Sequence, residues 1–176
     1  MIKLIKKFLL NRKLKKEYEK KIMEHKTKLF QLFYDLLSWK DCEWITKDPF
    51  VLKELWYRIL EHDDSLYEKI EMNAFKTTNC DKEIYDAAVQ HHIENNDHHW
   101  ENRVNDEFLT FQIKLACVEN LLDWMSYKTA PYEEWFTLIE NTKLPETQKN
   151  FMKEFMWIII NNKTEVYKND ISKEEE

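Results

Sequence analysis

The sequence predicts an all-α, single-domain bundle of about six or seven helices, and three observations carry that expectation. The 176 residues include no glycine and only three prolines. Glycine supplies the positive φ angles of tight hairpins and phosphate-cradling loops, so both are excluded, whereas helices joined through Asn, Asp or Ser lose least. Apolar residues make up 43% and aromatics 14% of the chain, enough for one substantial core. Apolar positions also recur at helical spacing through most of the length.

Residues 2–37 read as one long helix or two. Ile2, Leu4, Ile5, Phe8 and Leu9 lie at one end and Leu29, Phe30, Phe33, Leu36 and Leu37 at the other, and NRKLKKEYEKK between them should be solvated. Asp48-Pro49 then marks a helix start, Asp as N-cap and Pro at the first helical position. Its stripe of Val51, Leu52, Leu55, Trp56, Ile59 and Leu60 leads into Glu61-His62-Asp63. NAFKTTNCDK, 73–82, reads as a loop, with Asp81 capping a helix through Ile84, Tyr85, Ala88 and Val89 into a histidine cluster. From about Asp106 to Tyr127 a further helix turns Phe108, Phe111, Leu115, Val118, Leu121, Leu122 and Met125 inward. Pro131 and Pro145 each open one more, and NDISKEEE should fray. The tryptophans and phenylalanines are core residues before they are a base-stacking platform. No repeat or linker divides the chain. The expected organisation is a basic helical extension over 1–21, the helical domain over 22–163 and an acidic tail over 164–176.

The net charge of −6 is uneven. Residues 1–28 hold eleven Lys or Arg against three Glu, a net +8, which leaves −14 on the rest. The basic segment reads most economically as a solvated helix, then as a self-association surface in a homo-oligomer, then as a contact for an anionic membrane surface. The acidic body disfavours nucleic acid. No run is long and apolar enough for a transmembrane segment, and the start is too interrupted for a secretory signal. Cys42, Cys80 and Cys117, widely spaced and odd in number, read as reduced thiols of a cytoplasmic protein.

Four of six histidines fall in HHIENNDHHWE, residues 91–101. If the helix continued, His92, Asn96 and His99 would share one face and His91, Asn95 and His98 the next. His62-Asp63 is an adjacent pair, Glu119 and Asp123 lie one turn apart, and His25 opens the stripe of residues 29–37. Imidazoles with one or two carboxylates suit a divalent transition metal such as Mn, Fe, Co, Ni or Zn, one or two ions, rather than Mg or Ca. Glu119 reads as a surface charge or a group behind the ligands, and Asp123 as a ligand or as an acid at a packing edge.

The order His, His-Asp, His, His-His, Asp resembles the HD-domain superfamily of metal-dependent phosphohydrolases. More narrowly, EHDDS at 61–65, HIENNDHHWE at 92–101 and LLDWMS at 121–126 are similar to a family of small bacterial and phage proteins patterned HDxSK, HxxxNxHHPE and DW, over residues 22–128. The resemblance implies an HD-domain-like bundle in which His25, His62, Asp63 and Asp123 surround a first ion. His92, His98 and His99 would serve a second ion or a bound phosphate. Asn96 and Glu101 match further motif positions without a settled role. Leu66 departs from the family lysine, which Lys69 would have to replace, and Trp100 departs from the family proline.

The expected activity is metal-dependent hydrolysis of a nucleotide or other small phosphorylated compound, with Asp63 at the metals and His98 protonating the leaving group. The alternatives are a degenerate relative that binds a nucleotide or partner without turnover, which Leu66 favours, and an HD-like di-iron oxygenase.

Overall fold

The computed structural model describes the backbone of residues 2–77, 79–127 and 131–174, with side chains for 8–77, 79–127, 131 and 133–163. In chain order the helices are α1 (Ile2–Ser38), α2 (Glu43–Thr46), α3 (Pro49–Glu61), α4 (Lys69–Phe75), α5 (Lys82–Asn95), α6 (Phe111–Tyr127), α7 (Tyr132–Asn141) and α8 (Glu146–Glu174). Single 3₁₀ turns cover Asp64–Tyr67 and Trp100–Arg103. Among the described residues there is no strand, and no helix is long and apolar enough to cross a membrane.

The bundle is built around α6. Leu115, Ala116, Cys117, Val118, Leu121 and Leu122 are all buried, on every side of the helix, as befits a central element. It packs against α1, α3 and α8, joining Leu29, Phe33 and Leu36 to Leu55 and Ile59 and to Met152, Phe155 and Ile159. The same helix also buries Glu119, Asn120, Asp123 and Ser126, polar groups that need partners to offset the loss of water. A smaller cluster of Tyr18, Ile22, Leu66, Met72 and Phe75 seats α4 against α1.

Residues 2–38 form one helix, and its expected solvated stretch is exposed apart from the buried Tyr18 and the partly buried Leu14 and Glu19. Lys13–Glu17, Lys15–Glu19 and Lys20–Glu24 pair one turn apart there. Phe8, Leu9 and Leu10 are exposed, while the side chains of Ile2, Leu4 and Ile5 lie outside the described residues. Asp48 caps α3 by accepting from the amides of Phe50 and Val51, and Asp81 caps α5 by accepting from Glu83. Pro131 and Pro145 immediately precede α7 and α8. Cys42 and Cys117 are buried and Cys80 half-buried, all unpaired.

Several boundaries differ from the sequence expectation. Two short helices, α2 and α4, raise the count among the described residues to eight. Residues 73–75, expected in a loop, close α4, because packing on α5 buries Glu71 and Ala74. The cluster does not ride one helix: α5 stops at Asn95, and His98 and His99 stand in the turn beyond. Asn102 ends it, its side-chain amide donating to the carbonyls of Ile93 and Asn96. Helix α6 begins at Phe111 rather than Asp106, with Thr110 Oγ1 accepting from the Ile113 amide. Phe108 is therefore 81% exposed rather than inward. The backbone of α8 continues to Glu174 through residues expected to fray; no glycine or proline interrupts it. Side chains from 164 onward lie outside the described residues.

Candidate metal centre

Helix α3 ends at Glu61, and the chain leaves it through Asp63 in the left-handed region (φ 55°, ψ 26°). Asp tolerates that conformation at a cost on the order of 1 kcal/mol, and in a chain without glycine it does the work glycine does elsewhere. The reversal sets His62 and Asp63, both 2% exposed, beside His25 of α1 and Asp123 of α6. His25 Nε2 lies 3.5 Å from Asp63 Oδ2 and 3.3 Å from Asp123 Oδ1. His62 Nε2 lies 3.4 and 3.2 Å from the same two oxygens. Ligand bonds of about 2.1 Å set ligand atoms about 3.0–3.5 Å apart around a single ion. The four atoms can therefore hold one metal ion in a buried setting.

Proton placement agrees with that. Ser126 Oγ donates to the carbonyl of Asp123 (2.7 Å), so its one hydrogen is spent and it accepts from His25 Nδ1 at 2.7 Å. Glu119 Oε1 accepts from His62 Nδ1 at 2.9 Å. The Nε2 atoms are thus the ones turned to the Asp63 and Asp123 oxygens. His25 Nε2 and Asp63 Oδ1 are buried without a hydrogen-bond partner. Tyr127 stacks on the His25 ring, centroids 4.0 Å apart, and fixes its plane.

The other Asp63 oxygen serves a second group. His92 Nε2 and His98 Nε2 each stand 3.5 Å from Oδ1. Asp63, His92 and His99 offer three ligand atoms within 4.8 Å of one another. His98 Nδ1 faces Glu119 Oε1 at 3.3 Å, and His92 Nδ1 donates to Glu71 Oε2 at 2.8 Å. The Nε2 atoms of His98 and His99 are buried without partners. One carboxylate thus faces two clusters of imidazole, one through each oxygen.

Charge in the site follows from this crowding. Burial alone would raise the Asp63 carboxyl, but the adjoining His25 ring, with His62, His98 and His92 around it, holds it well below the carboxylate range. For Glu119 burial likewise raises, and hydrogen bonds from His62 and His98 prevail, to about 2. Burial lowers His62, yet hydrogen bonds to Asp123 and Glu119 and the charge of Asp63 raise it to about 10. Burial, with His98 and His92 adding to it, pushes His99 down to about 4, so it is neutral at pH 7.

The remaining expected residues divide. Asn96 is buried and donates to Ser65 Oγ (2.8 Å) and to the carbonyl of His92 (2.7 Å), tying the turn to α5. Glu101 is exposed on the following 3₁₀ turn and Lys69 on the first turn of α4. Leu66, which departs from the lysine of the HDxSK pattern the sequence resembles, packs against Tyr18 and Ile22. His98, expected as proton donor, has Nδ1 on Glu119 and Nε2 on Asp63 and is 2% exposed, which suits holding rather than proton delivery. Glu119 is no surface charge: it is buried and orients two imidazoles.

Sequence reasoning missed four contributors. Ser126 fixes His25, and Glu71 fixes His92. Arg58 binds both oxygens of Asp97 (2.7 and 3.0 Å) and reaches Glu119 Oε2 at 3.2 Å. Arg103, buried, donates to the carbonyls of Asp97 and His98 and holds their turn. Ser126 could have been found, three residues after Asp123 on one face; the others carry no local signal. A cavity of about 600 Å³ opens beside His62, His98 and Glu119, rimmed by Glu54, Glu61, Asp64, Glu68, Glu94 and Asp97, with Arg58 as its cation.

Residues 14–165 match the model of a family of unknown function, DUF5662. No curated protein and no solved structure matches the chain.

Proposed function

The chain belongs to the DUF5662 family, and for this member we propose metal-dependent hydrolysis of a nucleotide or another small phosphorylated compound. The observation that carries this reading is the Asp63 carboxylate, which turns one oxygen to His25 and His62 and the other to His92 and His98. Bare imidazole nitrogens and carboxylate oxygens repel unless a proton or a cation stands between them. Two divalent ions on either side of Asp63 satisfy both groups, and bound there they would supply Lewis acidity and an acidified water near neutral pH.

The residues have separable parts. His25, His62, Asp63 and Asp123 hold the first ion, with Ser126 and Glu119 setting their tautomers. Asp63, His92 and His99 hold the second, with His98 beside them on Glu119. Arg58 neutralises Glu119 and Asp97 behind the site. The carboxylate rim favours a phosphomonoester of low charge over a polyanion.

Protein purified without a histidine tag should contain a divalent transition metal and hydrolyse at least one compound of a broad phosphoester panel, losing that activity to a chelator. Metal-free protein that stays inactive after addition of Mn, Fe, Co or Ni would overturn the reading. A second reading, binding of a nucleotide or partner without turnover, is favoured by Leu66, which packs an apolar side chain at the position that the HDxSK resemblance gives to a lysine. Calorimetric nucleotide binding with no product formed would select it.

A further inference from the structure

Glu71 is fully buried on α4, and both of its oxygens are taken by imidazoles. His91 Nδ1 meets Oε1 at 2.7 Å and His92 Nδ1 meets Oε2 at 2.8 Å. A carboxylate only accepts, so each ring carries its proton on Nδ1. For His92 that leaves Nε2 bare, 3.5 Å from Asp63 Oδ1, itself without a hydrogen-bond partner. On the far side His91 Nε2 stands 3.4 Å from Glu68 Oε2, so that ring lies between two carboxylates. Ser65 Oγ, 3.2 Å from His92 Nδ1, completes the enclosure.

We propose that Glu71 is the positioning residue of the second ion: anchored on one oxygen by His91, it holds His92 in the tautomer and orientation that present Nε2 to Asp63. The inference rests on the two-ion reading above and goes beyond it by separating the ions. His25 and His62 owe their orientation to α6, through Ser126 and Glu119. His92 owes its own to α4, through a negative charge that also raises the basicity of the ligand nitrogen. The first ion is therefore independent of Glu71 and the second is not.

The test is a titration of metal-depleted protein with Mn²⁺, free ion being counted by electron paramagnetic resonance. The wild type should take up two ions per chain. Glu71→Ala should keep the first affinity and weaken the second by about 10- to 100-fold, and Glu71→Gln, isosteric but uncharged, should fall between. Adding Glu71→Ala to His92→Ala should cause no further loss, because the two act on one ligand. Should Glu71→Ala fail to fold, Glu71→Gln carries the comparison. An unchanged second affinity in the folded variants, with only the melting temperature lowered, would make Glu71 a structural residue and overturn the proposal alone. A wild type that binds fewer than two ions would overturn it together with the two-ion reading.

Discussion

At Asp63 two demands fall on one residue, a left-handed backbone and a carboxylate shared between two imidazole groups. Asparagine tolerates the same backbone and the same volume, so Asp63→Asn isolates the charge. Elemental analysis of that variant should show metal lost from both groups, and wild-type metal content would refute the shared-ligand arrangement. Asp123→Ala, by contrast, should cost only the first ion. His62 gives the pH dependence. Its folded value in the metal-free protein is raised from 6.5 to about 10, so its contribution to stability is complete below 6.5 and lost as pH rises through about 10. Glu119, lowered from 4.5 to about 2, contributes above 4.5 and loses that contribution as pH falls through about 2. Coordination needs His62 Nε2 bare, so metal uptake at pH 7 should release about one proton per chain from this residue. Calorimetry in buffers of different ionisation enthalpy reads that number, and zero release would contradict the assigned ligand. Much of the site was legible residue by residue. The adjacent pair, the histidine cluster and the Asp123 one turn after Glu119 stand out by type and spacing, whereas His25 enters the ligand set only through the family resemblance. Glu71 and Arg103 do not, because a single acid or arginine among many acquires its role only from what folds against it.

At the scale of elements, legibility tracks how local the governing interaction is. Asp48 and Asp81 announce their helices because the capping bonds reach only two or three residues. The end of α5 is set by Asn102, which returns to the carbonyls of Ile93 and Asn96 from beyond the turn, and no periodicity contains that. Helix α4 is seven residues long and exists through its packing on α5, so local propensity could not announce it. Phe108 obeyed the expected period but precedes the helix that would have turned it inward. Two substitutions separate these effects. Asp48→Ala should lower stability by about 1 kcal/mol in urea unfolding and leave metal content unchanged. Asn102→Ala should cost about 1–2 kcal/mol and also weaken metal retention, since the turn it secures carries His98 and His99. Equal metal content in both variants would show that the turn is held without it.

At the scale of the molecule, the candidate ligands come from α1, the turn after α3, α5, the turn after α5 and α6, so an ion would tie together elements far apart in the chain. Binding then stabilises by mass action, about 2.7 kcal/mol at a hundredfold excess over Kd, or a rise in Tm on the order of 5–10 °C for a chain of this size. Asp63→Asn, which should lose both ions, should abolish that rise, and scanning calorimetry with and without chelator measures it. A further consequence concerns the order in which the chain is made. The hydroxyl that fixes His25 belongs to Ser126, 101 positions later. A ribosome therefore exposes the first imidazole long before it delivers the serine and the aspartate that complete its surroundings. Nascent or truncated products ending ahead of α6 would lack both Asp123 and Ser126, which makes retention of the first ion a certificate that α6 has been delivered.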